Sequence, residues 1–209
     1  MPRASVTTSA RIKCDLNDSA GADAEREDDY HRRMSRPDLA PQLSGRKDAA
    51  HIDRDWVVDR ALIDGVRCHE VRNVVTANGI TTELYRPDWG VVEGAVQQAI
   101  HVALRGGAIS AWHQHRERWD FLFVVGGHLR VVLFDPREGS PTRGQVDVLH
   151  LSPQRPMLTA VPPFVWHGVQ NLSTDTSCFV NFFDRPYDYD DPDEWRLPAE
   201  TPDIPYRFA

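Results

Sequence analysis

No run of about 18 apolar residues occurs in this 209-residue chain, which excludes a membrane-spanning helix. The N-terminus lacks a basic stretch followed by an apolar core, so no secretory signal is expected. Cysteine is scarce: Cys14, Cys68 and Cys178 lie far apart and form no CxxC pair. That spacing excludes a zinc finger and a disulfide framework and points to a reducing cytoplasm. Excess positive charge is missing too. A formal net charge of -7 argues against nucleic acid on a broad basic face, though not against a local basic pocket. Long helical patterns and internal repeats are absent. What is present, 41% hydrophobic and 26% charged residues, suits a soluble globule with one core.

Residues 1–52 differ from the rest. Tyr30 is their one aromatic, and acids and bases mix with Ser, Ala and Pro. Such a segment buries too little apolar surface to offset its ordering entropy, so a flexible tail is expected. The alternative is an arm that pairs with a neighbouring subunit. The folded domain is expected over 53–209.

There the pattern is one of short strands. They are expected near Trp56–Leu62, Cys68–Thr76, Ile80–Arg86, Val96–Arg105, Ala108–His115, Trp119–Val125, His128–Phe134, Gln145–Leu151, Met157–Val161, Trp166–Asn171 and Ser177–Phe183. Turn residues separate them, including Asn78-Gly79, Gly106-Gly107, Gly126-Gly127 and Pro162-Pro163. β-branched and aromatic residues at period two indicate an all-β sandwich or barrel. The Pro-, Asp- and Tyr-rich stretch after Phe183 reads as an ordered wrap.

Chemistry concentrates in Gly107–Gly127. Alternation along a strand puts His113 and His115 on one side. On the next strand Asp120, Leu122 and Val124 share a face, and a two-residue hairpin at Gly126-Gly127 is expected to follow. A second stretch, Pro162–Asn171, carries His167. Together they resemble the paired motifs of the cupin superfamily, G-x5-H-x-H-x4-E-x6-G and P-x-G-x2-H-x3-N. Gly107, His113, His115, Gly127, Pro162, His167 and Asn171 fall in register, with Asp120 in the Glu place and Phe164 in the Gly place. The resemblance implies a double-stranded β-helix, or jelly roll, with a pocket at one end. It also implies a metal set of His113, His115, Asp120 and His167. Imidazole and one carboxylate suit Fe, Mn, Ni, Cu or Zn. Each histidine taken alone is equally a hydrogen-bonded pocket residue.

Further stretches narrow the resemblance. Ile63-Asp-Gly65-Val, Asn78-Gly-Ile-Thr-Thr-Glu83-Leu-Tyr-Arg86 and Phe134-Asp-Pro-Arg-Glu-Gly-Ser-Pro-Thr-Arg-Gly144 resemble the dTDP-4-dehydrorhamnose 3,5-epimerases, as does the acidic C-terminal stretch. The likeness spans roughly 56–205. It implies chemistry without metal: a His oriented by a buried Asp removes a proton beside the C4 ketone, and a Tyr returns one. A Lys stabilises the enolate, and Arg residues hold the nucleotide diphosphate. His113 matches the catalytic His and His167 the second pocket His, while Glu83 matches an acid of the N-terminal motif. The chain departs from the family at Ser110 and Asn78 (Arg), Asp120 (Lys) and Val180 (Tyr). With Lys lost and H-x-H present, a metal could serve as the Lewis acid.

Glu83, Arg130, Trp112, Trp166 and His101 are the candidate substrate-binding residues. The tryptophans read as core aromatics or as a stacking wall, and Arg130 as the leading anion binder if it points inward. Asp184 and Tyr187 are placed to orient His113.

Three functions compete. One is a carbohydrate epimerase or isomerase acting on a free or nucleotide-linked keto sugar, with His113 and His167 catalytic. Another is a metal-dependent dioxygenase, decarboxylase or lyase on a small organic substrate. The last is a sugar-binding module without catalysis. A homodimer is expected, exchanging strands near Trp56–Thr76, with no nucleic acid or membrane partner.

Overall fold

Among the described residues, twelve strands follow in order: β1 (Arg67–Glu70), β2 (Val74–Thr76), β3 (Gly79–Thr81), β4 (Gln98–Leu104), β5 (Ile109–Gln114), β6 (Asp120–Gly126), β7 (Leu129–Phe134), β8 (Val146–Leu151), β9 (Met157–Val161), β10 (Trp166–Asn171), β11 (Ser177–Phe183) and β12 (Trp195–Arg196). A computed structural model describes residues 61–91 and 94–209. The tail expected over 1–52, and most of the strand expected at Trp56–Leu62, lie outside the described residues.

Two antiparallel five-stranded sheets, ordered β1-β9-β6-β11-β4 and β12-β5-β10-β7-β8, make the all-β jelly roll. Between them pack Leu122 and Val124 of β6, Leu129, Val131 and Leu133 of β7, Val169 of β10 and Phe179 of β11. The outer faces are buried as well. Phe121 and Phe123 lie under Val71, Leu84, Tyr85, Trp89 and Val91, whereas Trp112 and Val132 lie under Ile204, Leu197, Tyr206 and Phe208. Double burial explains the unbroken apolar runs of β6 and β7.

The expected hairpin at Gly126-Gly127 is not formed, because β6 and β7 belong to different sheets. These glycines instead carry the chain from one sheet to the other. Gly127 has φ +77°, and a Cβ there would lie 1.9 Å from Ser177 Oγ. The pair permits a tight crossing that a side chain would block. The stretch expected as one strand at Cys68–Thr76 is two: β1 joins β9, and β2 pairs only with β3. The strand expected at Ile80–Arg86 stops at Thr81, ahead of a 3-10 turn at Pro87–Trp89.

The Asp135–Thr142 loop is scaffold. Asp135 is fully buried and accepts bonds from Arg137 Nε (2.8 Å), Ser140 Oγ (2.5 Å) and Thr142 Oγ1 (2.7 Å). Arg137 donates in turn to the Asp64 carbonyl at 2.6 Å, tying the loop to the Ile63–Gly65 turn.

Candidate active site

A cavity of about 210 Å³ opens between the sheets. Ile100, Val102, Leu122, Phe179 and Phe183 form its apolar wall. Into it point His113 at the end of β5, His115 just beyond, Asp120 at the start of β6 and His167 on β10. Register explains the convergence: His113 lies opposite His167 across β5 and β10.

Asp120 is the hub. Its Oδ1 lies 3.3 Å from His115 Nε2, and its Oδ2 lies 3.1 Å from His167 Nε2. Asn181 Nδ2 donates to Oδ2 at 3.1 Å. Oδ1 is buried and has no aligned hydrogen-bond donor. Behind the rings, His115 Nδ1–H donates to the Asp193 carbonyl at 2.5 Å, and His167 Nδ1–H donates to the Val165 carbonyl at 3.3 Å. A carbonyl can only accept, so these contacts favour a proton on Nδ1 of each ring, with Nε2 turned towards Asp120; the shorter carbonyl contact outweighs Arg118 Nε, which lies 3.3 Å from His115 Nδ1. Two lone pairs cannot face a carboxylate at this range without repulsion. A positive charge belongs there, as protons on Nε2 or as a cation.

The ionisation pattern agrees. Burial alone would raise the Asp120 carboxyl, but the two imidazoles hold it far below the usual carboxylate range. Burial would lower His115, yet the Asp120 carboxylate and the Asp193 carbonyl push it up. His113 behaves oppositely. Burial first, then the charges of His167 and Arg196, bring it down to about 4. Its Nε2 lies 3.0 Å from Ser110 Oγ, and its Nδ1 lies 4.0 Å from Glu194 Oε2. His113 is therefore a neutral base at physiological pH. The His113 and His167 ring centroids are 5.9 Å apart.

Three of the four expected metal ligands converge: donor atoms of His115, Asp120 and His167 all lie within 4.8 Å of one another. His113 stands outside that group. The expected substrate-binding residues are placed elsewhere. The alternation that turns His113 and His167 inward turns Trp112 and Trp166 outward, into the cluster under the C-terminal segment. Arg130 shares that outer side with Val132 and donates to Gln170 at 3.1 Å, so it does not point into the barrel. His101 is exposed and alternates with Ile100 and Val102, which line the cavity. Glu83 is exposed and paired with Arg86 at 3.2 Å. Val180, the tyrosine place, alternates with the cavity residues Phe179 and Asn181. Asp184 accepts from the Trp119 backbone N–H at 2.9 Å, and Ser110 rather than Asp184 meets His113.

The C-terminal stretch supplies what the motifs did not show. β12 pairs with β5 and brings Glu194 and Arg196 to the cavity. Arg118, almost wholly buried, donates to Glu194 Oε1 at 2.6 Å and stacks 4.5 Å from the Phe183 ring centroid. The sequence signals were the aromatic and charged character of 185–196, which marked it as ordered, and Tyr187, expected beside His113; neither singled out Glu194 or Arg196.

The family model of dTDP-4-dehydrorhamnose 3,5-epimerase matches residues 60–206. The spore coat polysaccharide biosynthesis protein SpsL of Bacillus subtilis (strain 168) is 33% identical over 70% of this chain and 97% of its own length. Agl13 of Haloferax volcanii, described as a probable low-salt glycan biosynthesis epimerase, is 30% identical over 66% of this chain and 89% of its own. The crystal structure of a dTDP sugar isomerase from Desulfovibrio desulfuricans G20 superposes with a TM-score of 0.65 at 26% identity, covering 69% of this chain and 90% of that one. With the jelly roll and its histidine-lined cavity, these matches establish that the chain belongs to the dTDP-4-dehydrorhamnose 3,5-epimerase family.

Proposed function

We propose that this chain is a nucleotide-sugar epimerase that inverts a carbon beside a sugar ketone. The observation that carries this reading is the convergence of a neutral, buried His113 and the hydrogen-bonded His115–Asp120–His167 cluster on one cavity. His113 Nε2 takes the proton from the carbon beside the ketone. The bonding pair moves into the enolate, whose negative charge is offset by the protonated His115 held against Asp120. A proton returned from that imidazolium side inverts the centre. The cluster thus does the work that the family gives to lysine. The test is hydrogen exchange at the carbon beside the ketone of a dTDP-4-keto-6-deoxy sugar. Loss of exchange in His113→Gln, with dTDP still bound, is the expected result. Binding of the sugar nucleotide by the wild type without exchange would support a non-catalytic sugar-binding module instead.

A second reading rests on Asp120 Oδ1, which is buried and meets His115 Nε2 only at 3.3 Å without an aligned hydrogen bond. One donor atom from each of His115, Asp120 and His167 lies within 4.8 Å of the others, and two imidazoles with one carboxylate are a usual transition-metal set. In donor chemistry the set suits Fe, Mn, Ni, Cu or Zn, which His115, Asp120 and His167 would hold. Such an ion, when bound, supplies Lewis-acid polarisation of the carbonyl oxygen. Exchange that survives chelation assigns the charge to protons, whereas loss that one equivalent of metal reverses assigns it to the ion.

A homodimer belongs to the same proposal. The β2–β3 ribbon pairs with neither sheet, and Val74, Val75 and Ile80 on it are exposed. A lone two-stranded ribbon is marginal in water, which supports its cover by a second copy. Monomeric wild type by light scattering would refute this. The reading also places the enzyme in the cytoplasm, on the strength of its widely spaced cysteines.

A further inference from the structure

We propose that Arg196 on β12 grips the diphosphate of the nucleotide-linked substrate, in place of the arginine that the sequence lacks at Ser110. This rests on the nucleotide-sugar reading above. A diphosphate needs a cation at the cavity, and among the described residues only Arg118 and Arg196 bring a guanidinium to its lining. Arg118 is committed. Its side chain is 4% exposed, bonded to Glu194 at 2.6 Å and packed on Phe183. The Arg196 side chain is 67% exposed, and its carboxylate contact is a long one, 3.5 Å to Glu194 Oε2. The other oxygen of Glu194 is already held by Arg118, so the pull on Arg196 is weak and the carboxylate beside the anion path is neutralised.

Position supports the same assignment. Arg196 lies directly opposite His113 in the β12–β5 pairing. An anion held by Arg196 therefore sits beside the cavity mouth, and the sugar it carries enters towards the base. The remaining arginines nearby are engaged elsewhere: Arg116 stacks 3.4 Å from the Trp195 ring centroid, and Arg185 pairs with Glu117 at 3.1 Å. A bidentate fork suits a diphosphate, so lysine at 196 should restore only part of the binding.

Calorimetric titration of the full chain with dTDP and with thymidine tests this, using Arg196→Gln, Arg196→Lys and, as control, Arg116→Gln. Arg196→Gln should weaken dTDP about 10- to 100-fold, as loss of a charge-assisted contact does, and leave thymidine binding unchanged. Arg196→Lys should fall between, and Arg116→Gln should stay within about twofold of wild type. Wild-type dTDP affinity in Arg196→Gln overturns the proposal. So does equal loss of dTDP and thymidine, which marks a structural role, and so does a larger effect from Arg116→Gln. If the wild type binds dTDP through Arg196 but catalyses no exchange, the epimerase reading fails and this one stands. If the wild type binds no dTDP, UDP, GDP or CDP, both fail.

Discussion

Asp135→Asn removes one charge from a fully buried carboxylate without changing its shape. Its Oδ1 accepts from the Arg137 backbone N–H (3.0 Å) and Arg137 Nε (2.8 Å). Oδ2 accepts from an Arg137 terminal nitrogen (3.0 Å), Ser140 Oγ (2.5 Å) and Thr142 Oγ1 (2.7 Å). Either orientation of an asparagine amide turns its NH2 against at least two of these donors. Arg137, 22% exposed, cannot shed its charge in response. Breaking one side of such a pair costs about 3–5 kcal/mol. For a domain of this size that lowers Tm by roughly 6–20 °C. The sign with pH is fixed as well. Burial would raise the Asp135 carboxyl, but Arg137, Ser140 and Thr142 bring it well below its usual range. Its contribution is therefore complete above the unfolded value of about 3.9 and fades as pH falls through the lower folded value. The gap between wild type and variant should be widest at pH 7 and narrow in acid. Thermal melts at pH 7 and pH 3 measure it, and turnover per folded molecule should be unchanged, because the loop is absent from the cavity lining. A gap under about 2 °C at pH 7, or one that is no smaller at pH 3 than at pH 7, would refute the reasoning.

Trp112→Ala should cost about 3–5 kcal/mol, because Trp112 is fully buried on the outer face, and should leave KM unchanged. A large rise in KM in a folded variant would put Trp112 in the site. His113, lowered to about 4, stays unprotonated down to that pH. The acid limb of kcat/KM should therefore lie near 4, and a limb at the ordinary histidine value of about 6.5 would contradict the burial argument. If the ribbon forms the proposed homodimer interface, Val75→Asp on it should shift sedimentation towards monomer, and a dimer that is unchanged would place the interface elsewhere.

The strands and the inward pair His113 and His167 were legible because alternation and glycine-marked turns are local. Sheet membership was not. Nothing in Val-Val-Gly-Gly-His distinguishes a hairpin from a crossing; the decision is made by Ser177, 50 residues on, packed against Gly127. The same limit misplaced Trp112, Trp166 and Arg130. Both faces of these sheets are buried, so an apolar or aromatic neighbour says nothing of which face holds the cavity. Glu194 and Arg196 were out of reach for a third reason: β12 is two residues long and gains its place only by pairing with β5.

Deuterium incorporation from D2O into a dTDP-4-keto-6-deoxy sugar, followed by NMR, tests the central claim most directly. The account predicts exchange at a carbon beside the ketone with wild type, and none above background with His113→Gln at matched dTDP occupancy. Exchange at the wild-type rate in His113→Gln, or none in the wild type with the sugar nucleotide bound, would contradict it.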